Sequence, residues 1–168
     1  HIPVLIDERP EGRVILWESM ACTLYLARHH GRADGVDISP ATPQEDAQAL
    51  RWSFWTVTEL EKDALTVLMH RRVMPETQRK GDLADAAEKR LKQPLAVLEA
   101  ELLAQQMRGG AWLAGSRFTV ADLCVASVLA WTLPARALLA QHPVSTEWLE
   151  RCLARPAQRA MRALARQG

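Results

Sequence analysis

The sequence predicts an α+β fold that is mainly helical, in which a short ββα unit precedes an all-helical region. Its 168 residues include 26 alanines and 23 leucines but only eight glycines, a bias typical of helical proteins. Hydrophobic residues make up 48% of the chain and charged residues 24%, so a packed core is expected. Two short apolar segments at the start have the character of strands, and longer segments with helical spacing follow. The length suits one ordinary domain, or one domain with part of another.

The predicted ββα unit occupies the start of the chain. Residues 2–7 are predicted to form a buried strand, residues 8–12 a five-residue connection, and residues 13–16 a second strand. A helix is expected over residues 19–30, and Gly31 fits a left-handed cap at its end. This unit is too small to close a core alone.

A loop-like segment, residues 31–43, is the best candidate for a linker. It ends in a helix start signal: Thr42 is a suitable N-cap, Pro43 fits the first helical position, and Glu45 completes a capping box. The predicted helix extends as far as Pro75, which cannot continue it.

This long helix has two apolar faces about 130° apart. One carries Ala47, Leu50, Phe54 and Val57, and the other carries Trp52, Trp55 and Glu59. One face can serve the helix's own domain, and the other either packs in a second core layer or meets a partner subunit or a ligand. Trp52, Trp55 and Glu59 are therefore candidates for a ligand pocket or a dimer face.

Further helices are predicted in the C-terminal half. Leucines at helical spacing indicate a helix over residues 83–107, with Pro94 inside it. Thr119 and Asp122 form a capping box at the start of the next helix. That helix is apolar nearly all round to residue 133, so we expect it to be central and buried. Two shorter helices are predicted over residues 147–154 and 157–166.

Composition excludes several classes of function. The net charge of +1 gives no global electrostatic case for nucleic-acid binding. The longest apolar run, residues 120–133, contains Asp122 and is too short to span a bilayer. The three cysteines have no metal-type spacing, and Cys22 is expected to be buried. No metal site is therefore predicted, and a reducing, cytoplasmic setting is expected.

Several motifs in order along the chain resemble the cytosolic and bacterial glutathione transferase superfamily. The Ile-Pro-Val-Leu segment, residues 2–5, is similar to the family strand that begins with a cis proline. Residues 16–21, Leu-Trp-Glu-Ser-Met-Ala, resemble the element that starts the family's next helix. Residues 118–122, Phe-Thr-Val-Ala-Asp, resemble the capping box of its core helix, and residues 155–157, Arg-Pro-Ala, its final helix start.

The resemblance implies a division of the chain into two domains. Residues 1–34 correspond to the C-terminal part of a thioredoxin-like domain, residues 35–43 to a linker, and residues 44–168 to an all-helical C-terminal domain. In the family, a β-α-β segment precedes the strand with which this chain begins. We expect the Tyr, Ser or Cys that activates the glutathione thiol to lie in that segment, so no catalytic residue is assigned in this chain. Tyr25 is instead expected to pack in the core.

By the same resemblance, Glu18 and Ser19 would hold the γ-glutamyl end of glutathione. Ile2, followed by Pro3, would pair with the cysteinyl backbone, and His1 corresponds to a position near the glycyl end. A helix start favours a bound carboxylate, and a glutamate can accept hydrogen bonds from an amine. From the residues alone, a serine N-cap followed by ordinary helix and an exposed glutamate are equally compatible with the pattern.

The implied function is a homodimeric glutathione transferase with glutathione as co-substrate, acting in detoxification on small hydrophobic electrophiles. No nucleic acid, membrane or metal partner is implied. The acceptor pocket or dimer face would include Trp52, Trp55 and Glu59. A glutathione-dependent isomerase, dehalogenase or reductase of the same fold is an alternative, and a non-catalytic assembly module is another.

Overall fold

The computed structural model describes residues 2–31 and 37–164, with only the backbone of Arg162. Two strands, β1 (Val4–Arg9) and β2 (Gly12–Trp17), pair antiparallel, with Val4 opposite Trp17 and Arg9 opposite Gly12. Helix α1 (Ser19–His30) follows directly and packs on β2. The predicted ββα unit is therefore present.

Three details of this unit differ from prediction. The first strand is not buried, since the residues of β1 are alternately exposed and half-buried. The hairpin connection has two residues, Pro10 and Glu11, instead of five, because Glu8 and Arg13 pair across the strands and Gly12 takes a φ of +133°. The cap at Gly31 is not left-handed. Its φ of −74° and ψ of 0° are right-handed helical values, because its N–H still bonds to the Ala27 carbonyl.

The helix predicted from residue 43 is a continuous rod with two π-helical turns. It comprises α2 (Pro43–Trp55), a π turn (Thr56–Leu60), α3 (Glu61–Leu68) and a second π turn (Met69–Val73). Thr42 caps its start through the Glu45 N–H at 3.2 Å. The reciprocal bond of the predicted capping box goes instead from Ala41 N–H to Glu45, at 2.7 Å. A short 3₁₀ turn, Glu76–Gln78, follows Pro75.

Helix α4 (Gly81–Met107) begins two residues earlier than predicted and continues through Pro94. Helix α5 (Val120–Leu129) ends in a 3₁₀ turn, Ala130–Thr132. Three more helices complete the described chain: α6 (Arg136–Leu139), which the sequence did not indicate, α7 (Pro143–Leu153) and α8 (Pro156–Leu164).

The core surrounds α5, which packs against α1, α2, α3 and α7. Eight of its residues are buried, as the all-round apolar pattern predicts. Leu91, Leu95 and Leu98 of α4 and Trp148 of α7 complete this core without solvent exposure. The predicted capping box is present at the start of α5, formed by Thr119 and Asp122.

Candidate functional site

The first predicted site residues lie just before β1. The Ile2–Pro3 peptide bond is cis, as the resemblance implies. The Ile2 side chain is 95% exposed, and Ile2 precedes the paired residues of the hairpin. His1 lies outside the described residues.

The second pair of predicted site residues lies where β2 passes into α1. Glu18 is the N-cap and has φ 73° and ψ 115°, a conformation that non-glycine residues rarely adopt. Such conformations cost on the order of 1–3 kcal/mol and cluster at functional sites. The Glu18 carbonyl accepts the Cys22 N–H at 2.9 Å, the first bond of the helix. Ser19 is therefore the first helical residue and not its cap, and the N–H groups of the opening turn have no helical acceptor.

The side chains of Glu18 and Ser19 are both exposed. Neither has a hydrogen-bond or ion-pair partner among residues 2–31 and 37–164. The free N–H groups and the positive end of the helix dipole favour an anion beside Ser19. The Glu18 carboxylate is an acceptor suited to an ammonium group. A ligand with both charges, such as an amino acid group, fits this pair.

The sheet register brings the two pairs of residues together. Val4 is the Cα partner of Trp17, so Pro3 and Glu18 each lie one residue beyond the same cross-strand pair. Directly opposed residues of antiparallel strands are about 4.5–5.5 Å apart at their Cα atoms. Ile2, Pro3, Glu18 and Ser19 therefore all lie at one end of the hairpin, although they are separated along the chain.

An apolar pocket of about 310 Å³ adjoins Glu18. Helix α1 contributes Met20, Ala21 and Leu24 to its lining, the rod contributes Leu50, Ser53, Phe54 and Val57, and Glu61 lies at its edge. Phe54 is 67% exposed, and Leu50 and Val57 also keep large exposed fractions. The pocket is thus part of an exposed apolar stripe along the rod.

The two tryptophans of the rod do not line this pocket. Trp52 is 2% exposed and packs in the core, edge-on to Trp55 at 5.1 Å between ring centroids. Trp55 is partly buried against the same core, and Glu59 is exposed. The assignment of Trp52 to an open pocket or dimer face is therefore wrong, because burial leaves it no surface to offer.

Met20 and Leu24 of α1 were not among the site residues predicted from the sequence. The available signal was their spacing along one face of a helix that begins at the predicted site. Helical periodicity predicted two apolar faces of the rod, but it does not indicate which face α5 covers.

Comparison with known proteins identifies the family. The model of the glutathione S-transferase C-terminal domain matches residues 59–156 of this chain. The chain belongs to the glutathione S-transferase family. It is 29% identical over 158 residues to the glutathione S-transferase GstB of Escherichia coli K12, covering 94% of this chain and 71% of GstB.

Two further relatives bear on the chemistry of this family member. The disulfide-bond oxidoreductase YfcG of Escherichia coli K12 is 29% identical over 166 residues, covering 93% of this chain and 68% of YfcG. A theta class glutathione S-transferase from Xanthomonas axonopodis pv. citri, solved with glutathione bound, is 27% identical and superposes with a TM-score of 0.67. That superposition covers 86% of this chain and 71% of the other.

The cysteine thiols of this family member are shielded from solvent. Cys22, Cys124 and Cys152 are all buried and unpaired. Burial raises the pKa of Cys124 to about 11, and burial also raises the pKa of Cys152. A thiol with a raised pKa is protonated at neutral pH, whereas the thiolate is the reactive form.

Tyr25 does not pack in the core as expected. It is half-buried, and its hydroxyl donates to Asp7 Oδ2 at 2.7 Å, which ties α1 to β1. Partial burial raises the pKa of Tyr25. The residue is therefore a structural link within the ββα unit.

Among the described residues, no helix is both long and apolar enough to cross a membrane. In the same part of the chain, no three His, Cys, Asp or Glu side chains come together in a metal-binding arrangement.

Proposed function

We propose that this glutathione S-transferase family member binds glutathione through Ile2, Pro3, Glu18 and Ser19. We also propose that the intact protein adds the thiolate of glutathione to small hydrophobic electrophiles. The observation that carries the proposal is the convergence of these four residues at one end of the hairpin, beside the N–H groups of the first turn of α1, which have no helical acceptor. The family membership and the glutathione-bound relative support glutathione as the ligand.

The γ-glutamyl end and the cysteinyl backbone of glutathione each have a counterpart among these residues. Its γ-glutamyl carboxylate would lie at the start of α1 and accept the Ser19 N–H and hydroxyl. Its ammonium would donate to the Glu18 carboxylate. The cysteinyl backbone would pair with Ile2 in the manner of an added strand.

The reaction itself is a nucleophilic addition, followed by loss of the leaving group that the electrophile carries. The glutathione thiolate forms a C–S bond to the electrophilic carbon, and the displaced group leaves with the electron pair of its former bond. An ordinary thiol has a pKa of about 8.5, so a donor beside the sulfur is needed to favour the thiolate at neutral pH. We assign that donor to the segment that precedes this strand in the family, and not to Tyr25 or to the buried cysteines.

The apolar stripe fits a dimer face better than an acceptor pocket. The reason is the order of the contacts that glutathione would make. The pocket adjoins Glu18, which would bind the γ-glutamyl end, and Ile2 is not among its lining residues. The thiol belongs to the cysteinyl residue, so an electrophile should lie towards Ile2. We therefore propose that Leu50, Phe54 and Val57 contact a second copy of the chain. Glu59 stays a candidate for the acceptor pocket or the edge of this face.

The same family membership supports a proposal about the cellular setting. We propose a cytoplasmic enzyme of detoxification, in which the three unpaired cysteines stay reduced.

The test is a calorimetric glutathione titration of the protein expressed at its full natural length. Removing the Glu18 charge with Glu18→Gln, or the Ser19 hydroxyl with Ser19→Ala, should each weaken glutathione binding about tenfold, the worth of a charge-assisted hydrogen bond. Thr23→Ala is the matched control, since the Thr23 hydroxyl already donates to the Ser19 carbonyl at 2.8 Å within the same helix. Absence of glutathione binding at millimolar concentration would refute the proposal.

A second candidate function is glutathione-dependent disulfide reduction. It is favoured by YfcG, whose identity to this chain equals that of GstB. The two reactions use the same glutathione site but different acceptors, a disulfide sulfur or an electrophilic carbon. Parallel assays with a small symmetrical disulfide and with chlorodinitrobenzene distinguish them, because only one substrate should be turned over efficiently.

A further inference from the structure

We infer that a polar groove between the start of the rod and the end of α4 binds neutral polyhydroxy compounds of about the size of a disaccharide. The groove has a volume of about 510 Å³, within the range of small-molecule sites. It forms because α4 packs along α3, whereas α2, the first part of the rod, packs on α5. The loop that follows α4 closes one end of the groove.

The large side chains that line the groove are amides and charged groups. The rod contributes Gln44 and Gln48, and α4 contributes Glu101, Gln105 and Arg108. A hydrophobic ligand would separate these groups from water without offering them hydrogen bonds, which costs free energy. The groove therefore selects a ligand that forms hydrogen bonds.

The charged groups of the groove are paired with one another. Glu101 accepts hydrogen bonds from Arg108 at 3.1 Å and from Arg51 of the rod at 2.9 Å. The Arg51 guanidinium also lies over the Trp52 ring, 4.7 Å from its centroid. A cationic ligand would face two guanidinium groups, and an anionic ligand would have to compete with Glu101 for them. A neutral ligand avoids both costs.

The three amides match a ligand with several hydroxyl groups. A glutamine side chain both donates and accepts hydrogen bonds, and so does a hydroxyl group. The Gln105 amide is already oriented, since its Nε2 donates to the Leu113 carbonyl at 3.2 Å. A Cβ atom at Gly110 would lie only 3.2 Å from Gln105 Oε1, so glycine at this position leaves room around that acceptor.

The Gln48 side chain lacks a partner that such a ligand would supply. Its Oε1 is shielded from solvent and accepts no hydrogen bond within the described parts of the chain. One helical turn further along the rod, Trp52 Nε1 is also buried and lacks an acceptor there. Buried polar atoms are almost always hydrogen-bonded, so unpaired ones need an explanation. Rotation of the Gln48 side chain would bring its oxygen to a ligand hydroxyl and satisfy it.

The groove is separate from the other surfaces proposed for this protein. Its lining shares no residue with the proposed glutathione site or with the apolar pocket beside Glu18. At 100° per residue, Gln48 lies about 120° or more around the rod from Leu50 and Phe54 of the proposed dimer face. Polyol binding therefore requires neither glutathione nor enzymatic activity.

The experiment is a calorimetric titration of the protein at its full natural length with trehalose, a neutral disaccharide, with and without saturating glutathione. Trehalose should bind at one saturable site with a Kd on the order of 1 mM, equal in both conditions. Lactobionate, an anionic disaccharide derivative, should bind about fivefold more weakly, because its carboxylate competes with Glu101.

Substitution of the amides tests the assignment of the groove. Gln48→Leu should lower trehalose affinity about tenfold and Gln44→Leu about fivefold, because each removes hydrogen bonds to ligand hydroxyls. Gln106→Leu is the matched control, since Gln106 is an exposed residue of α4 outside the lining, and it should leave the affinity within about twofold.

Stability provides a second readout, because Gln48→Leu removes a buried acceptor that has no donor. Its free energy of unfolding, measured by urea denaturation, should not fall even though its trehalose affinity does. The inference is overturned if trehalose saturates no site at millimolar concentration, if glutathione competes with it, or if lactobionate binds as tightly. It is also overturned if Gln44→Leu and Gln48→Leu bind trehalose as tightly as the unsubstituted protein.

Discussion

The Asp122 carboxylate joins three parts of the fold through both of its oxygens. Oδ2 accepts the Thr119 N–H at 2.9 Å, which completes the capping box, and lies 3.3 Å from the Thr119 hydroxyl. Oδ1 accepts the Leu113 N–H at 2.9 Å and the Trp148 indole N–H at 3.1 Å. Burial raises the pKa of Asp122, and these four hydrogen bonds act in the opposite direction. We therefore expect the residue to serve structure and not proton transfer, since all its donors belong to the protein interior.

We expect unequal losses of stability from the two halves of this capping box. Thr119→Ala should lower the free energy of unfolding by about 0.5–2 kcal/mol, at the upper end because the site is buried. Asp122→Ala should cost more, since each buried donor left unpaired costs about 1–3 kcal/mol. The double variant should be less than additive, because the two residues share one network. Urea denaturation measures all three, and Thr119→Ser is the control that keeps the hydroxyl.

Glutathione affinity should change little in these variants, because the proposed ligand residues lie in the ββα unit. If Asp122→Ala instead kept full stability but abolished turnover, Asp122 would belong to the active site and the structural interpretation would be wrong.

Sequence spacing was sufficient to predict the local half of this network. Thr119 and Asp122 are three residues apart, and that spacing alone specifies a capping box. The bonds to Leu113 and Trp148 could not be predicted, because they depend on where a loop and α7 pack. The same limit applies to the candidate site: its residues were recognised as motifs, whereas their convergence depends on the hairpin register.

A second carboxylate, Asp7, links the strand and the helix whose starts form the candidate site. Its Oδ2 accepts Arg9 Nε and the Tyr25 hydroxyl, each at 2.7 Å, and lies 3.0 Å from His30 Nε2. The hydrogen bonds from Arg9, then from His30 and Tyr25, hold the pKa of Asp7 well below its usual range.

This lowered pKa gives Asp7 a pH-dependent effect on stability. Because the folded-state pKa lies below the unfolded value of about 3.9, the carboxylate stabilises the fold fully above that value and loses its effect as the pH falls below it. Asp7→Asn should therefore lower the free energy of unfolding at pH 7, and the difference from the unsubstituted protein should shrink between about pH 4 and pH 2. Urea titrations across this range measure it. An equal difference at pH 7 and pH 2 would contradict the assignment.

At the scale of elements, helix starts capped by distant residues were the hardest to predict. Helix α7 begins at Pro143, four residues before the predicted start, because its cap is not local. Glu99 of α4 accepts the Val144 N–H at 2.9 Å and the Ser145 N–H at 2.7 Å, which satisfies the opening turn of α7. Such a cap cannot be predicted from neighbouring residues, because Glu99 is far from α7 along the chain. The start of α2 was predicted correctly because Thr42 caps it from the adjacent position.

The rod shows a second limit of sequence patterns. Its two apolar faces were visible from helical periodicity, but periodicity does not indicate which face the core covers. The structure buries Trp52 and leaves Phe54 exposed, although both are large and aromatic. Only the packing of α5 against α2 decides between them.

Paired substitutions in the rod test this orientation. Trp52→Ala should lower the free energy of unfolding by about 3–5 kcal/mol, since it empties a fully packed core position. Phe54→Ala should cost the isolated subunit less than about 1 kcal/mol, because most of its ring already contacts solvent. Both are measured by urea denaturation at a protein concentration low enough to keep the chain monomeric. Equal costs would mean that the burial of the two faces is reversed or shared.

At the scale of the whole molecule, Arg117 connects the linker to the helical region through hydrogen bonds and an ion pair. It donates to the carbonyls of Asp37 at 2.8 Å and Ser39 at 2.7 Å and pairs with Glu45 at the start of the rod. Val120 N–H also bonds to the Ile38 carbonyl, at 2.9 Å. The start of α5 therefore positions both the linker and the rod, and with them the apolar stripe beside α1.

That stripe leads to the prediction of a symmetric dimer. Leu50, Phe54, Val57 and Leu65 recur at intervals of three, four and eight residues, and each keeps more than a third of its surface exposed. Several large apolar side chains on one helix face are typical of a protein interface and not of a solvated surface. In a two-fold dimer the same stripe meets its own copy, so a charge placed at its centre is buried opposite an identical charge.

Phe54→Glu should therefore yield a monomer at micromolar concentration, whereas the unsubstituted protein, at its full natural length, should have the mass of a dimer. Light scattering coupled to size exclusion measures both masses. Met107→Glu is the matched control, since Met107 is 89% exposed at the end of α4 and is not one of the stripe residues, and it should remain a dimer. A monomeric unsubstituted protein would exclude the dimer, and a dimeric Phe54→Glu would move its interface elsewhere. If the monomeric variant still binds glutathione with unchanged affinity, the site at Glu18 and Ser19 is complete within one subunit.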